Sequence, residues 1–185
     1  MHFDPQIWRD RAWKHLKKSH IAGKPKQKVE AEWVLDTIAI SDLTKVVEWC
    51  SERGLKIDFV KKPAASYYPD SKAIQIAHRL KPIRQLIYLL HECGHHLIGS
   101  SEDHERYGMG YPQNELSVKR TFHHRLTCLD EEFEAWHRGW KLAQRLKLNI
   151  TRDKYDQLKV ECLRTYVKWA LRPGKIVEQE EEKNE

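Results

Sequence analysis

Residues 91–95, His-Glu-Cys-Gly-His, combine side chains that can bind a metal ion and activate water. Residues four apart on a helix lie on the same face, so the imidazoles of His91 and His95 can bind one ion. Zinc suits such ligands and lowers the pKa of its bound water towards neutrality. The carboxylate of Glu92 can accept the proton of that water as a general base. The segment therefore predicts a Zn²⁺ site with Glu92 as its catalytic residue.

The residues around this segment predict a buried helix over 82–99. Pro82 suits the first helical position because its φ is fixed, and apolar residues then recur every three or four positions up to Gly99. A buried polar side chain is costly when it lacks a partner, which favours a metal at His91 and His95. The alternative is that both histidines are hydrogen-bonded residues of an ordinary core.

A catalytic zinc ion typically has three protein ligands and one position left for water. Residues 129–136, LDEEFEAW, hold four carboxylates at the start of a helix predicted over 130–146. The helix dipole favours negative charge at this end, and most of these carboxylates should face solvent. One carboxylate turned inward would complete the ligand set.

Residues 56–146 resemble the ImmA/IrrE-like metallopeptidases, which belong to the gluzincin group. The resemblance rests on the strand KAIQIA, the apolar helix with HECGH, and a later helix in which glutamate is followed three residues on by alanine. The later glutamate of that family is the third zinc ligand, which here corresponds to Glu132, before Ala135. Glu131 ranks second and Glu134 third. Trp136 departs from the family pattern, in which a small polar residue follows the alanine.

The resemblance implies an α+β, zincin-like fold. Such a fold has a small, antiparallel-rich sheet, an active-site helix, a glutamate helix and flanking N- and C-terminal helices. An edge strand of the sheet would receive an extended substrate peptide through main-chain pairing. Members of the family often act on transcriptional repressors of bacteria, mobile elements or phages, and some are better known as regulators than as proteases.

Peptide hydrolysis at zinc also needs a group that stabilises the developing oxyanion. Four side chains are candidates for this stabiliser, and the sequence does not rank them: His123, His124, His137 and Tyr166. We expect His96 outside the ligand set because it points about 100° away from its neighbour on the helix. A second metal site at His123, His124 and Cys128 is disfavoured because these residues lack a second close pair.

The elements that must position these residues follow from the remaining patterns. Turn residues and apolar periodicity predict further helices over 4–19, 29–53 and 152–171, and strands over 55–60, 65–68 and 72–77. Because the strands are short and close in sequence, we expect an antiparallel sheet, with the strand 72–77 at its edge. Residues 100–127 look irregular.

Length and composition favour one globular domain with extensions at both ends. The chain has 185 residues, of which 40% are hydrophobic, and its four cysteines form no CxxC pair. The predicted organisation is a basic helix and linker at 1–28, a metallopeptidase domain at 29–174 and an acidic, disordered tail at 175–185. No apolar run has the length of a signal peptide or a membrane span. These features predict a cytoplasmic protein with free thiols and no membrane contact.

Two functions compete for this sequence. The first is a zinc-dependent endopeptidase that cleaves a protein partner, such as a DNA-bound transcriptional regulator of a bacterial, mobile-element or phage system. The second is a non-proteolytic zincin-fold regulator or nucleic-acid-binding protein that retains a zinc site. The carboxylate of Glu92 favours the enzyme, since a structural site needs no base. Residues 1–28 favour the second, because they hold eight Lys and Arg against two Asp.

Deletion of residues 1–28 tests the nucleic-acid interpretation. If these residues bind phosphates, the affinity of the full chain for a DNA or RNA duplex should fall steeply with salt, because binding releases counterions. The deletion should abolish that binding and leave the metal in place. Titration of a labelled duplex at increasing salt concentration measures the effect. Binding that does not change with salt, or no binding at low salt, would contradict the prediction.

Overall fold

The computed structural model of the chain describes residues 26–61, 65–101, 107 and 121–171, with side chains from residue 34 onward. This part of the chain forms four helices and a small three-stranded mixed sheet. The elements are α1 (Lys26–Ser51), β1 (Lys56–Val60), β2 (Ser66–Tyr68), β3 (Ala73–Ala77), α2 (Pro82–Gly99), α3 (Phe122–Arg145) and α4 (Arg152–Ala170). The α+β class predicted from the sequence is therefore confirmed.

The sheet has the strand order β1-β3-β2, and it is not the antiparallel sheet that short connections predicted. β1 runs parallel to β3, whereas β2 runs antiparallel to β3 on its other side. β2 lies between the other two strands in sequence, so the segment that contains it provides the crossover that a parallel pair needs. The antiparallel pair β2–β3 agrees with the prediction, which was wrong for β1 because it assumed that β1 pairs with β2, the next strand in sequence.

The strand KAIQIA is the centre of the sheet rather than its edge. Ile74 and Ile76 of β3 are completely buried, which explains why the most apolar strand takes the central place. Its end is joined to α2, since the side-chain amide of Gln85 donates to the Ala77 carbonyl at 3.0 Å. Of the two edge strands, β2 is the one that contacts α2. The strand at the edge near this helix is therefore β2 and not β3.

Helix α2 packs against the sheet and against helices α1 and α3. Its bounds match the prediction, with Pro82 in the first turn. The core around it is apolar, and its largest fully buried side chains include Leu43, Ile74, Leu86, Leu90, Trp136 and Tyr155. Leu86 and Leu90 lie one turn apart on α2, as the apolar periodicity of this segment predicted.

Helix α3 begins at Phe122, eight residues before the start predicted from the sequence. Thr121 provides the N-terminal cap, because its side-chain oxygen accepts a hydrogen bond from the His124 amide at 3.1 Å. Residues 122–127 are therefore helical, which corrects the expectation of an irregular segment at 100–127. Helix α4 agrees with its prediction to within one residue, and Thr151 caps it in the same way.

Several predicted features lie outside the described residues. They are the helix at 4–19, most of the basic segment at 1–28 and the acidic tail at 175–185. The domain boundaries proposed from the sequence stay predictions. Within the described residues, no helix has the length and apolar character needed to cross a membrane.

Two glycines allow α2 and α3 to cross at close range. A Cβ atom on Gly94 of α2 would lie 2.0 Å from the Ala135 carbonyl oxygen, and one on Gly139 of α3 would lie 2.5 Å from the Leu90 carbonyl oxygen. Both contacts are with the backbone of the opposite helix, which a side-chain rotation cannot relieve. The absence of a side chain at these two positions therefore determines the separation of the helices.

We expect Gly139→Ala to lower the free energy of unfolding. Alanine gains about 1 kcal/mol of helix propensity, but its methyl group collides with α2, and overpacking of this kind typically costs about 1–3 kcal/mol. Urea unfolding measures the change, and Gln144→Ala on the exposed face of α3 serves as the control. An unchanged or higher free energy of unfolding for Gly139→Ala would show that the helices can separate at little cost.

Candidate metal centre

The structure brings together His91 and His95 of α2 and Glu132 of α3. The Nε2 atom of His91 lies 3.2 Å from Oε2 of Glu132, and the Nε2 atom of His95 lies 3.3 Å from Oε1 of the same carboxylate. One atom from each side chain falls within 4.8 Å of the others. This group could hold a metal ion, with two nitrogen ligands and one oxygen ligand.

The environment of these side chains fits a bound cation. Oε2 of Glu132 is buried and faces Nε2 of His91 at 3.2 Å without a hydrogen bond. Burial raises the pKa of Glu132, but its close contacts with His91 and His95 outweigh burial and hold that pKa well below its usual range. Burial lowers the pKa of His95, but hydrogen bonds to Glu131 and Glu132 raise it to about 10. The carboxylates thus favour positive charge at this point, which a divalent ion supplies.

Glu131 contacts the other nitrogen of a ligand histidine. Its Oε1 atom accepts a hydrogen bond from Nδ1 of His95 at 3.0 Å, which leaves Nε2 of that ring facing Glu132. A carboxylate in this position fixes the tautomer and orientation of a metal-bound imidazole. The geometry therefore gives Glu131 an orienting role, although the sequence ranked it second as a ligand. Glu134, ranked third, instead accepts a hydrogen bond from Arg138 at 2.7 Å.

His91 is held in a different way. Its Nδ1 atom is buried without a hydrogen-bond partner, and its ring stacks on Trp136 with centroids 4.3 Å apart and an interplanar angle of 22°. Trp136 is fully buried, as a core residue should be, and Trp140 is half-buried. Trp136 therefore orients His91 through contact between the two rings and not through a hydrogen bond.

Glu92 is buried next to the two histidines. Burial raises the pKa of its carboxyl group, and the positive charge of His91 and His95 lowers it by a smaller amount, so this pKa lies above its usual value. A carboxylate whose pKa lies above its usual range is a better general base near neutral pH. Glu92 also lines a cavity of about 260 Å³ together with the metal group and residues 65–67 of the β2 segment.

Of the four candidates for the oxyanion stabiliser, the structure brings only Tyr166 into this cavity. Burial is the main cause that raises the pKa of its hydroxyl, and the nearby carboxylate of Glu132 raises that pKa further. The hydroxyl therefore stays protonated and can donate. His124 lines a neighbouring cavity, whereas His123 and His137 are exposed and line neither cavity.

Other polar residues near α2 have contacts that account for them. Nδ1 of His96 lies 3.0 Å from the Tyr67 hydroxyl, which places His96 outside the ligand set, as expected. The thiols of Cys50 and Cys93 lie 3.4 Å apart, and all four cysteines are free, as predicted. In the described part of the chain, the only group of three side chains that could hold a metal is His91, His95 and Glu132. The disfavoured second site at His123, His124 and Cys128 therefore finds no support.

No family model, curated protein or solved structure matches the chain. The resemblance described above therefore stays an expectation drawn from the motifs. The metal group itself rests on the geometry of its own residues.

Sequence reasoning missed two contributions to the site. One is the β2 segment, whose residues 65–67 border the cavity although nothing in their types indicates this. The other is the hydrogen bond between Glu131 and His95. A signal for it existed, because a residue next to a ligand on a helix points about 100° away and can reach the outer nitrogen of a neighbouring imidazole.

Substitutions of Glu131, Glu132 and Glu134 distinguish the metal ligand from the orienting residue. Glu132→Ala should abolish stoichiometric metal binding, because it removes one of three ligands. Glu131→Gln should keep the metal but weaken its affinity about 10- to 100-fold, as is typical when the partner of a ligand histidine is lost. Metal content and competition with a chelator measure both effects, and Glu134→Gln is the matched control. Full metal occupancy in Glu132→Ala, together with loss of the metal in Glu131→Ala, would show that the third ligand is Glu131 and not Glu132.

Proposed function

We propose that the protein is a zinc-dependent endopeptidase of the ImmA/IrrE-like type with a zincin-like fold. The observation that carries this proposal is the buried carboxylate of Glu92, which shares a cavity with a group of two histidines and a glutamate. A site that binds metal only for structure is usually closed by four protein ligands and needs no base. Three ligands beside a base, in a cavity open along a strand, suit hydrolysis.

The residues of this chain would divide the reaction as follows. A Zn²⁺ ion at the group would lower the pKa of a water molecule and polarise the scissile carbonyl. Glu92 accepts a proton from that water on its carboxylate and later transfers it to the leaving amine. The hydroxyl of Tyr166 donates a hydrogen bond to the carbonyl oxygen as negative charge develops there. Glu131 keeps the ring of His95 oriented throughout.

The edge strand β2 suits an extended peptide. It pairs with β3 on one side, and no other described strand pairs with its outer side. Residues 65–67 of this segment line the same cavity as Glu92, so this edge borders the base. A peptide added here would form main-chain hydrogen bonds with little dependence on sequence. Its scissile bond would then lie over the metal group.

The substrate we propose is a protein partner in the cytoplasm, such as a DNA-bound transcriptional regulator. This choice follows the resemblance and not the geometry of the site. The alternative is a non-proteolytic regulator or nucleic-acid-binding protein that keeps the zinc. The excess of basic residues in 1–28 favours it. The two functions differ in whether the carboxylate of Glu92 is needed.

Glu92→Gln separates the two functions. The amide keeps the shape of the side chain but cannot act as a base, so a peptidase should lose turnover by a factor of about a hundred or more while fold and metal content persist. The measurements are cleavage of candidate partner proteins and the biological effect, with Glu48→Gln on the exposed face of α1 as the control. If Glu92→Gln keeps the full biological effect and the wild type cleaves no partner, the peptidase function is wrong.

A further inference from the structure

The edge strand β2 is short, and its main-chain pairing fixes it to only one neighbour. It contains three residues, which pair in antiparallel register with β3, Tyr67 lying opposite Ile74. In the described part of the chain, no strand pairs with its other side. The ladder hydrogen bonds lie within the sheet, so they fix β2 relative to β3 and not relative to α2. The distance between this strand and the helix must therefore be set by side chains.

Tyr67 is the residue of β2 that faces α2. Ile74, its partner across the sheet, is completely buried on the face that packs against the helices. The hydroxyl of Tyr67 forms a hydrogen bond with Nδ1 of His96 at 3.0 Å, and the two rings meet edge to face with centroids 5.7 Å apart. Tyr68 points to the opposite face, where its hydroxyl donates to Oε1 of Gln75 at 3.4 Å. Tyr67 therefore connects the edge strand to α2.

His96 is itself held in place by a second aromatic residue. The ring of Trp49, which is buried on α1, contacts the ring of His96 edge to face with centroids 6.4 Å apart. The guanidinium group of Arg53 covers the ring of Trp49 at 4.3 Å. His96 thus packs between Trp49 and Tyr67, which restricts its ring and gives Tyr67 a fixed partner on α2.

His96 also follows a residue of the candidate metal group directly. Adjacent residues of a helix differ by about 100° in direction and about 1.5 Å in height. His95 is directed at Glu132, with Nε2 3.3 Å from Oε1, whereas His96 is directed at Tyr67. One residue step of α2 therefore separates the side chain that faces the metal group from the side chain that holds the edge strand.

On the basis of the proposed function, we infer that Tyr67 and His96 are positioning residues, whose contact sets the distance between the edge strand β2 and the metal group. Residues 65–67 border the cavity that contains Glu92. A peptide bonded to β2 moves with this strand, and a displacement of about 1 Å from the reactive geometry can cost about a hundredfold in rate. The two residues act through the strand and not on the reacting atoms.

A binding experiment on the zinc-loaded protein tests this inference without requiring cleavage. The probes are acetohydroxamate, which binds zinc through its hydroxamate group alone, and alanine peptides of one to four residues that end in a hydroxamate. Calorimetry gives the affinity of each probe. In the wild type the affinity should rise with the length of the peptide, because each further residue can add main-chain hydrogen bonds to β2.

Tyr67→Phe removes one hydroxyl group and keeps the ring. It should lower the affinity for the four-residue probe about 2- to 10-fold, the range expected for one lost hydrogen bond, while zinc content and affinity for acetohydroxamate stay unchanged. Tyr68→Phe is the matched control, because it removes a hydroxyl from the other face of the same strand and should keep the wild-type affinities.

Substitutions of His96 test the other member of the pair. His96→Leu should weaken binding of the four-residue probe as Tyr67→Phe does. His96→Asn should retain most of the affinity, because its side-chain amide keeps a polar atom near the position of Nδ1. The double variant Tyr67→Phe/His96→Leu should bind no more weakly than either single variant, since both remove the same hydrogen bond. Zinc content is measured for each variant.

The outcomes distinguish the positioning pair from the proposed function. Failure of every hydroxamate to bind, or affinity that does not rise with peptide length, would overturn the pair. So would an equal loss for acetohydroxamate and the four-residue probe in Tyr67→Phe, which indicates a general structural role. Wild-type affinities in Tyr67→Phe would overturn the pair and leave the peptidase function standing. A length dependence that Tyr67→Phe weakens and Tyr68→Phe does not, in a protein that cleaves no partner, would support the pair and reject the peptidase function.

Discussion

The structure depends on the burial of four ionisable side chains between α2 and α3. His91, Glu92, Glu131 and Glu132 are each more than nine-tenths buried. Such burial is costly unless the charges are paired, and removal of one partner from a buried pair is strongly destabilising. Pairing requires the two helices to approach closely at one level. Gly94 and Gly139 permit this approach, because any side chain at either position would meet the opposite backbone. The buried pairs can therefore form only where α2 and α3 cross at close range, and this close crossing depends on the two glycines.

Helix α4 supports this crossing and also contributes to the site. The Tyr155 hydroxyl donates to the Trp136 carbonyl at 2.8 Å, and the Tyr155 ring packs against Trp136 at 5.4 Å between centroids. Trp136 in turn stacks on His91. Three turns further along the same helix, Tyr166 reaches Glu132 and lines both cavities. Helix α4 thus helps to orient His91 of the candidate metal group and also borders the cavity that contains Glu92.

The parts of this arrangement that sequence could predict are those encoded locally. Helix α2 and the spacing of His91 and His95 follow from periodicity and from Pro82 within one segment of chain. The position of β3 at the centre of the sheet cannot be predicted from one segment. Strand order depends on which pairing buries the most apolar surface, and that involves residues far apart in sequence. The start of α3 was misplaced because the cap at Thr121 precedes the first apolar repeat. Tyr166 could not be ranked above three histidines, since its place beside Glu132 depends on how α4 packs against α3.

The two histidines of the candidate metal group are oriented by different interactions, and this asymmetry would affect how they bind a metal. Hydrogen bonding to Glu131 makes His95 the more basic ligand, because a carboxylate partner raises the electron density on the imidazole. His91 has no such partner in the described structure, and the aromatic face of Trp136 restricts its ring without adding charge. The His91 side of the group therefore carries an indole where the His95 side carries the carboxylate of Glu131. A Zn²⁺ ion held there would be less neutralised than one with a carboxylate behind both histidines, and so a stronger Lewis acid towards water, which suits the hydrolytic role proposed for the site.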